Sequence, residues 1–143
     1  MEKIKLDANE IKYITLFESL TGAKVKDCVT EKNALGFLIE QGYMGLAIGK
    51  NGSNVSKVMK LTGRNIFVME ASDDLKKFLD NLFQPLKIRN SRIFEDGKEK
   101  VAILELNKKD RSKAIGQDGV RIKIAKKLAE RHFGLNDIKI KTV

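Results

Sequence analysis

The chain has 143 residues, 42% hydrophobic and 33% charged, enough apolar material for one ordinary domain or two very small ones. Twenty-eight Lys and Arg stand against 19 Asp and Glu, and the resulting formal charge of +9 favours polyanionic partners, because each phosphate neutralised releases counterions. One cysteine, Cys28, rules out an intramolecular disulfide framework, and no apolar run approaches the roughly 20 residues that span a bilayer.

The N-terminal Met1-Glu-Lys-Ile-Lys has no long apolar run behind it, so no secretory signal is expected and the protein is read as cytoplasmic. The charge is uneven. Residues 1–72 carry 10 basic and 8 acidic side chains, a net of +2, while residues 73–143 carry 18 and 11, a net of +7.

In chain order, Glu10 to Leu20 places Ile11, Ile14, Phe17 and Leu20 at helical spacing, with Gly22 as its C-cap. Two strand-like runs follow, 24–30 and 34–40. Beyond a glycine-containing turn at 49–52, Val55, Val58, Met59 and Leu61 predict a helical stripe stopped by Gly63, and residues 65–71 a strand. Asp73 and Asp74 then open a helix whose apolar face is Leu75, Phe78, Leu79 and Leu82, ended by Pro85. Strands are expected at 86–94 and 100–106, joined through Asp96-Gly97 as a tight hairpin. A short helix from Asp110, a second turn at 116–119, a long helix to about Phe133 closed by Gly134, and a strand at 138–143 complete the chain.

These elements repeat. Ala47-Ile-Gly-Lys-Asn-Gly-Ser-Asn-Val55 aligns with Ala114-Ile-Gly-Gln-Asp-Gly-Val-Arg-Ile122 at a constant offset, so two copies of one supersecondary unit explain the chain better than a single domain. The boundary falls at 72–73, with no low-complexity linker. Two glycines three apart force a tight turn and remove two Cβ atoms from its outer surface. A sugar–phosphate chain can then approach the backbone, beside the positive end of the helix that follows.

The pair Ile48-Gly-Lys-Asn-Gly-Ser-Asn-Val55 and Ile115-Gly-Gln-Asp-Gly-Val-Arg-Ile122 resembles the signature of the KH family, and the resemblance extends from about Glu10 to Val143. The helix-first order is similar to the type II arrangement. Two such units without further domains resemble the archaeal NusA-like transcription termination/antitermination factors. The resemblance implies an α/β (α+β) fold of two tandem type II KH domains, 1–72 and 73–143, each a three-stranded sheet packed on helices. It also implies non-catalytic binding of single-stranded RNA, about four unpaired bases per groove between the glycine-loop helices and an edge strand. RNA polymerase or a ribonucleoprotein particle is the implied further partner, with the chain a monomer and no cofactor.

Carried onto this sequence, the RNA-binding candidates of the first unit are Ile48, Gly49, Lys50, Asn51, Gly52 and Val55, with Ile66 and Val68 on the strand wall. Those of the second are Lys113, Ile115, Gly116, Gln117, Asp118, Gly119, Arg121, Ile122 and Lys123, with Ile138 and Ile140 on the strand. The aliphatic members read equally well as core. Asp118 sets a carboxylate beside an expected phosphate. It is also suited, like Asn51, to cap the following helix, with Lys113, Arg121 and Lys123 supplying the local positive field. Lys126, Lys127 and Arg131 extend this basic cluster, and for Lys126 and Lys127 a solvated helix face is as good a reading as RNA contact. With no Trp, two Tyr, and seven Phe that mostly fall on apolar stripes, recognition by base-edge hydrogen bonds over an aliphatic floor is expected rather than aromatic stacking.

Competing chemistry lacks its residues. The segment Gly45 to Lys50 is one residue short of a nucleotide-binding P-loop, and Asn51 stands where Ser or Thr would hold magnesium. His132 and Cys28 are the only residues of their kinds, too few for a metal site or a nucleophilic triad, so no enzyme is expected. A helix-turn-helix DNA-binding protein, with Asn54 and Arg121 as base readers, stays open, as does a ribosome-assembly or RNA-processing adaptor.

Overall fold

The computed structural model describes residues 7–143, so the expectation for the first five residues lies outside it. The chain divides into two compact units, one ending at Ser72 and the other starting at Asp73.

The first unit opens with helix α1, Ala8–Thr21. Asp7 and Glu10 form a reciprocal capping box: the Asp7 carboxylate accepts from the Glu10 amide at 2.8 Å, and Glu10 accepts from the Asp7 amide at 3.3 Å. Gly22, left-handed at φ +76°, closes the helix by donating to the Glu18 carbonyl. Strands β1 (Val25–Glu31) and β2 (Ala34–Ile39) pair antiparallel, and β3 (Asn65–Glu70) joins β2 in parallel, giving the order β1-β2-β3. Parallel neighbours need a crossover, and helices α2 (Met44–Ile48) and α3 (Ser53–Thr62) supply it. All six residues of β2 are buried, the continuous apolar run expected of a central strand.

Phe17 of α1 stacks on Phe37 of β2 with ring centroids 4.4 Å apart, at the centre of a core that includes Cys28, Leu35, Ile39, Ala47 and Val58. Two apolar stripes expected from the sequence are narrower here. Ile11 is exposed because at 100° per residue it lies about 120° around α1 from Phe17. Met59 and Leu61 are exposed because they flank, by about 80° on either side, the line through Val55, Val58 and Thr62.

The second unit repeats the order with α4 (Leu75–Leu82), β4 (Ile88–Glu95), β5 (Lys100–Leu106), α5 (Arg111–Ile115), α6 (Val120–Phe133) and β6 (Asp137–Thr142). The Asp74 carboxylate caps α4 by accepting from the Lys77 amide at 2.9 Å. Its sheet has the order β4-β5-β6, antiparallel then parallel, and Ala102, Leu104, Leu106 and Ile138 of its strands and Ala114, Ile124 and Leu128 of its helices are buried.

The β4–β5 connection is not the tight Asp-Gly turn expected. Residues 96–99 form a wider loop in which the Asp96 carboxylate accepts from the Lys98 and Glu99 amides while its own amide donates to the Glu99 carbonyl. The amides from Glu99 and Lys98 hold this carboxyl below its ordinary range. No helix among the described residues is long and apolar enough to cross a membrane.

The packing difference along these helices is directly measurable. Phe17→Ala is expected to lower stability by about 3–5 kcal/mol. Leu61→Ala is expected to stay within about 0.5 kcal/mol. Urea unfolding of both variants checks the contrast.

Candidate nucleic-acid interface

In each unit a four-residue loop joins the short helix to the long one, Gly49–Gly52 after α2 and Gly116–Gly119 after α5. The two loops share one backbone conformation. Gly49 and Gly116 take φ/ψ of 75°/171° and 81°/170°, a region that essentially only glycine occupies. Asn51 and Asp118 are left-handed at φ 55° and 56°, as are Gly52 and Gly119 at 76° and 72°. Neither loop is covered: Lys50, Asn51, Gln117 and Asp118 are all exposed.

This geometry corrects one expectation. Asn51 and Asp118 do not cap the helices that follow, and neither α3 nor α6 has any side-chain cap hydrogen bond. The two residues sit one position too early, and a left-handed backbone, which short polar side chains tolerate, explains why Asn and Asp stand there. The first turns of α3 and α6 therefore open without a competing side-chain acceptor, as an anion-binding helix start requires.

The two glycines of each loop do different work. A Cβ on Gly49 would come within 2.7 Å of Asn54 Cγ and 2.9 Å of the Asn54 amide nitrogen. A Cβ on Gly116 would come within 2.8 Å of Arg121 Cβ. The first glycine thus makes room inside the protein. On Gly52 a Cβ would meet nothing within 4 Å, and on Gly119 only Lys123 Cε at 3.8 Å. The second glycine faces open space.

The side chain admitted by the first glycine locks the loop. Asn54 Nδ2 donates to the Leu46 carbonyl at 2.6 Å, and at the matching position Arg121 donates to the Lys113 carbonyl at 3.2 Å. In both units a residue early in the long helix ties back to the short helix, bracing the turn between them.

Comparison with known proteins agrees with this twofold geometry. Residues 10–76 match the KH domain family, and residues 75–142 match the family described as NusA-like second KH domain. A protein of Methanocaldococcus jannaschii named probable transcription termination protein NusA is 33% identical over 140 residues, covering 98% of this chain and 76% of its own. The protein of that name from Halococcus morrhuae is 33% identical over 138 residues, covering 96% and 99%. The chain belongs to the NusA-like family of tandem KH proteins. The crystal structure of APE1850 is similar throughout, with a TM-score of 0.79 at 31% identity, covering 95% of this chain and 100% of that one.

The two KH units differ in where their charges go. In the first, Lys50 is exposed at the rim of the loop. In the second, Arg121 faces inward. Its guanidinium also donates to the Gln84 carbonyl at 2.8 Å and lies 5.9 Å from the Phe83 ring centroid. Burial lowers its pKa from the ordinary arginine value. Arg121, expected from sequence to lend positive field to the loop, is bound to two carbonyls of its own unit. Lys113 and Lys123 are the exposed cations beside Gly116–Gly119. Lys126, further along α6, pairs with Asp137 at 3.1 Å, a surface pair of at most about 1 kcal/mol.

Of the aliphatic candidates, Ile48 is 39% exposed beside the first loop, whereas Val55, Ile115 and Ile122 are half-buried. Ile66 and Val68 of β3 pack against the first core. Ile138 is buried in the second, so the core reading holds for it, while Ile140 is half-buried. Asn54 is the residue sequence reasoning did not single out as part of the loop. Its signal was its alignment with Arg121 in the repeat, two polar donors directly before the aliphatic position.

Gly49→Ala is expected to destabilise the first unit by about 3 kcal/mol or more, since strain and a clash add. Gly52→Ala carries only the left-handed penalty of about 1–2 kcal/mol. Chemical denaturation of the pair tests the division. Arg121→Ala leaves two carbonyls without donors and is expected to cost about 1.5–3 kcal/mol, while Lys123→Ala stays within about 0.5 kcal/mol. Thermal unfolding separates these two.

Proposed function

We propose that this chain binds single-stranded RNA without catalysis, in transcription termination, as its relatives are named for, or antitermination, with the first KH unit as the stronger phosphate anchor. The observation that carries the reading is the pairing, twice over, of an outward glycine with a helix start that no side chain caps. A sugar–phosphate strand can lie against Gly52 and Gly119 with no Cβ between, while the positive ends of α3 and α6 face it. Ile48, Gly49, Lys50, Asn51, Gly52 and Val55 form the first contact set in this reading. Lys113, Ile115, Gly116, Gln117, Asp118, Gly119, Ile122 and Lys123 form the second, braced from behind by Arg121.

The asymmetry between the loops supports the ranking. Lys50 brings a cation to the first loop where Gln117 brings none to the second, and Asp118 adds a carboxylate where Asn51 is neutral. Among the described residues, no group of three or more His, Cys, Asp and Glu is placed to hold a metal ion. RNA polymerase or a ribonucleoprotein particle fits as the partner that brings the chain to a transcript.

Lys50→Asp combined with Asn51→Asp is expected to weaken binding to a single-stranded RNA pool at least tenfold while the thermal midpoint stays put. Unchanged binding would reduce the first loop to a simple turn. Affinity should fall with salt by about 0.7 log units per log unit for each phosphate contacted. Tighter binding to duplex DNA than to single-stranded RNA in direct competition would instead favour the helix-turn-helix reading.

A further inference from the structure

The sheet of the second unit has an open face. Its inner face carries Ala102, Leu104 and Leu106 into the core, and strand alternation sends their neighbours outward. Register places Phe94 beside Val101, and Arg92, Ile103 and Lys139 in one row across the three strands. Phe94 is 53% exposed, Arg92 is exposed two residues before it on β4, and Lys139 and Lys141 are exposed on the same face across the sheet on β6. In the first unit the corresponding residues Ala34, Gly36 and Leu38 of β2, and Val29 of β1, are all buried.

The charge on this face is lopsided. Arg92, Lys139 and Lys141 project from it, and none of them forms an ion pair among the described residues. Of its two carboxylates, Asp137 is held by Lys126 and by the amide of Ile138, which leaves Glu105 as the counterweight. An exposed ring sharing a sheet face with cations is an arrangement on which single-stranded nucleic acids stack their bases. Phe94 also departs from the expectation that the phenylalanines of this chain lie on buried stripes.

We propose that the outer face of the β4-β5-β6 sheet is a second contact surface for single-stranded RNA, separate from the glycine loops. Phe94 stacks on a base, and Arg92 and Lys139 hold the flanking phosphates. The face is two strand spacings wide, about 10 Å, enough for two or three nucleotides. It borders β6, the edge strand along which α6 packs, so a strand leaving the second groove reaches it over that edge. The inference rests on the RNA-binding reading above and extends it to longer transcripts.

The test compares two random-sequence single-stranded RNA pools, one of about 8 nucleotides, matching four per KH groove, and one of about 20. Phe94→Ala is expected to weaken binding of the longer pool about fivefold or more and to leave the shorter pool unchanged, while Phe94→Tyr, which keeps the ring, binds both like the parent. Arg92→Ala with Lys139→Ala is expected to reduce the salt slope for the longer pool by about 1.4, two phosphate contacts' worth, a readout independent of any effect on Phe94 packing. Equal affinities of the Phe94→Ala variant and the parent for both pools, with an unchanged salt slope in the double variant, would overturn the proposal and leave the face to a protein partner. If the Lys50→Asp, Asn51→Asp variant loses binding while the sheet variants do not, only this proposal falls. If the parent binds neither pool, the RNA reading itself falls.

Discussion

The close approach of a helix to a glycine organises both units. At Gly49 and Gly116 the backbone takes a conformation that only glycine adopts readily, and the missing Cβ lets the chain at Asn54 or Arg121 pass within 3 Å of where that atom would stand. That contact puts a hydrogen-bond donor within reach of the short helix. It also turns the next three residues outward, leaves the start of the long helix open, and sets the second glycine at the surface.

The same backbone serves two electrostatic designs. The first unit is nearly neutral, and its loop carries one exposed lysine. The second is strongly basic, but its loop offers Gln and Asp, and the arginine nearest to it is turned into the protein. Exposed positive charge in the second unit includes Lys113 and Lys123 and, on the outer sheet face, Arg92, Lys139 and Lys141. Charge counting by halves marks the second as the electrostatic anchor, yet side-chain placement puts an exposed cation on the first loop and none on the second.

Much of the architecture was legible in the sequence because it rests on local signals. The glycine and aspartate caps of α1, α4 and α6, the run of apolar residues in β2, and the repeated motif all report short-range physics, and the element order follows from them. Features that depend on three-dimensional placement were not. Met59 and Leu61 read as core because two flanks of a helix look like one stripe when the buried line is unknown. Arg121 read as a ligand contact because no sequence pattern shows that Gln84 and Phe83 will lie under its guanidinium. Asn51 and Asp118 read as caps because Asn and Asp favour both that position and the left-handed one, and only the dihedral angles separate them. The wide loop at Asp96 escaped for a similar reason: Asp-Gly suits a tight turn and a longer one alike.

In the proposed function two uncovered glycine loops receive the backbone of an RNA strand. The most direct test is amide-resolved NMR of the labelled protein titrated with a single-stranded RNA oligonucleotide. The account predicts the largest shifts at the amides of residues 50–54 and 117–121, those of the first unit saturating at lower RNA concentration. Shifts that spare both loops while other surfaces respond would contradict it.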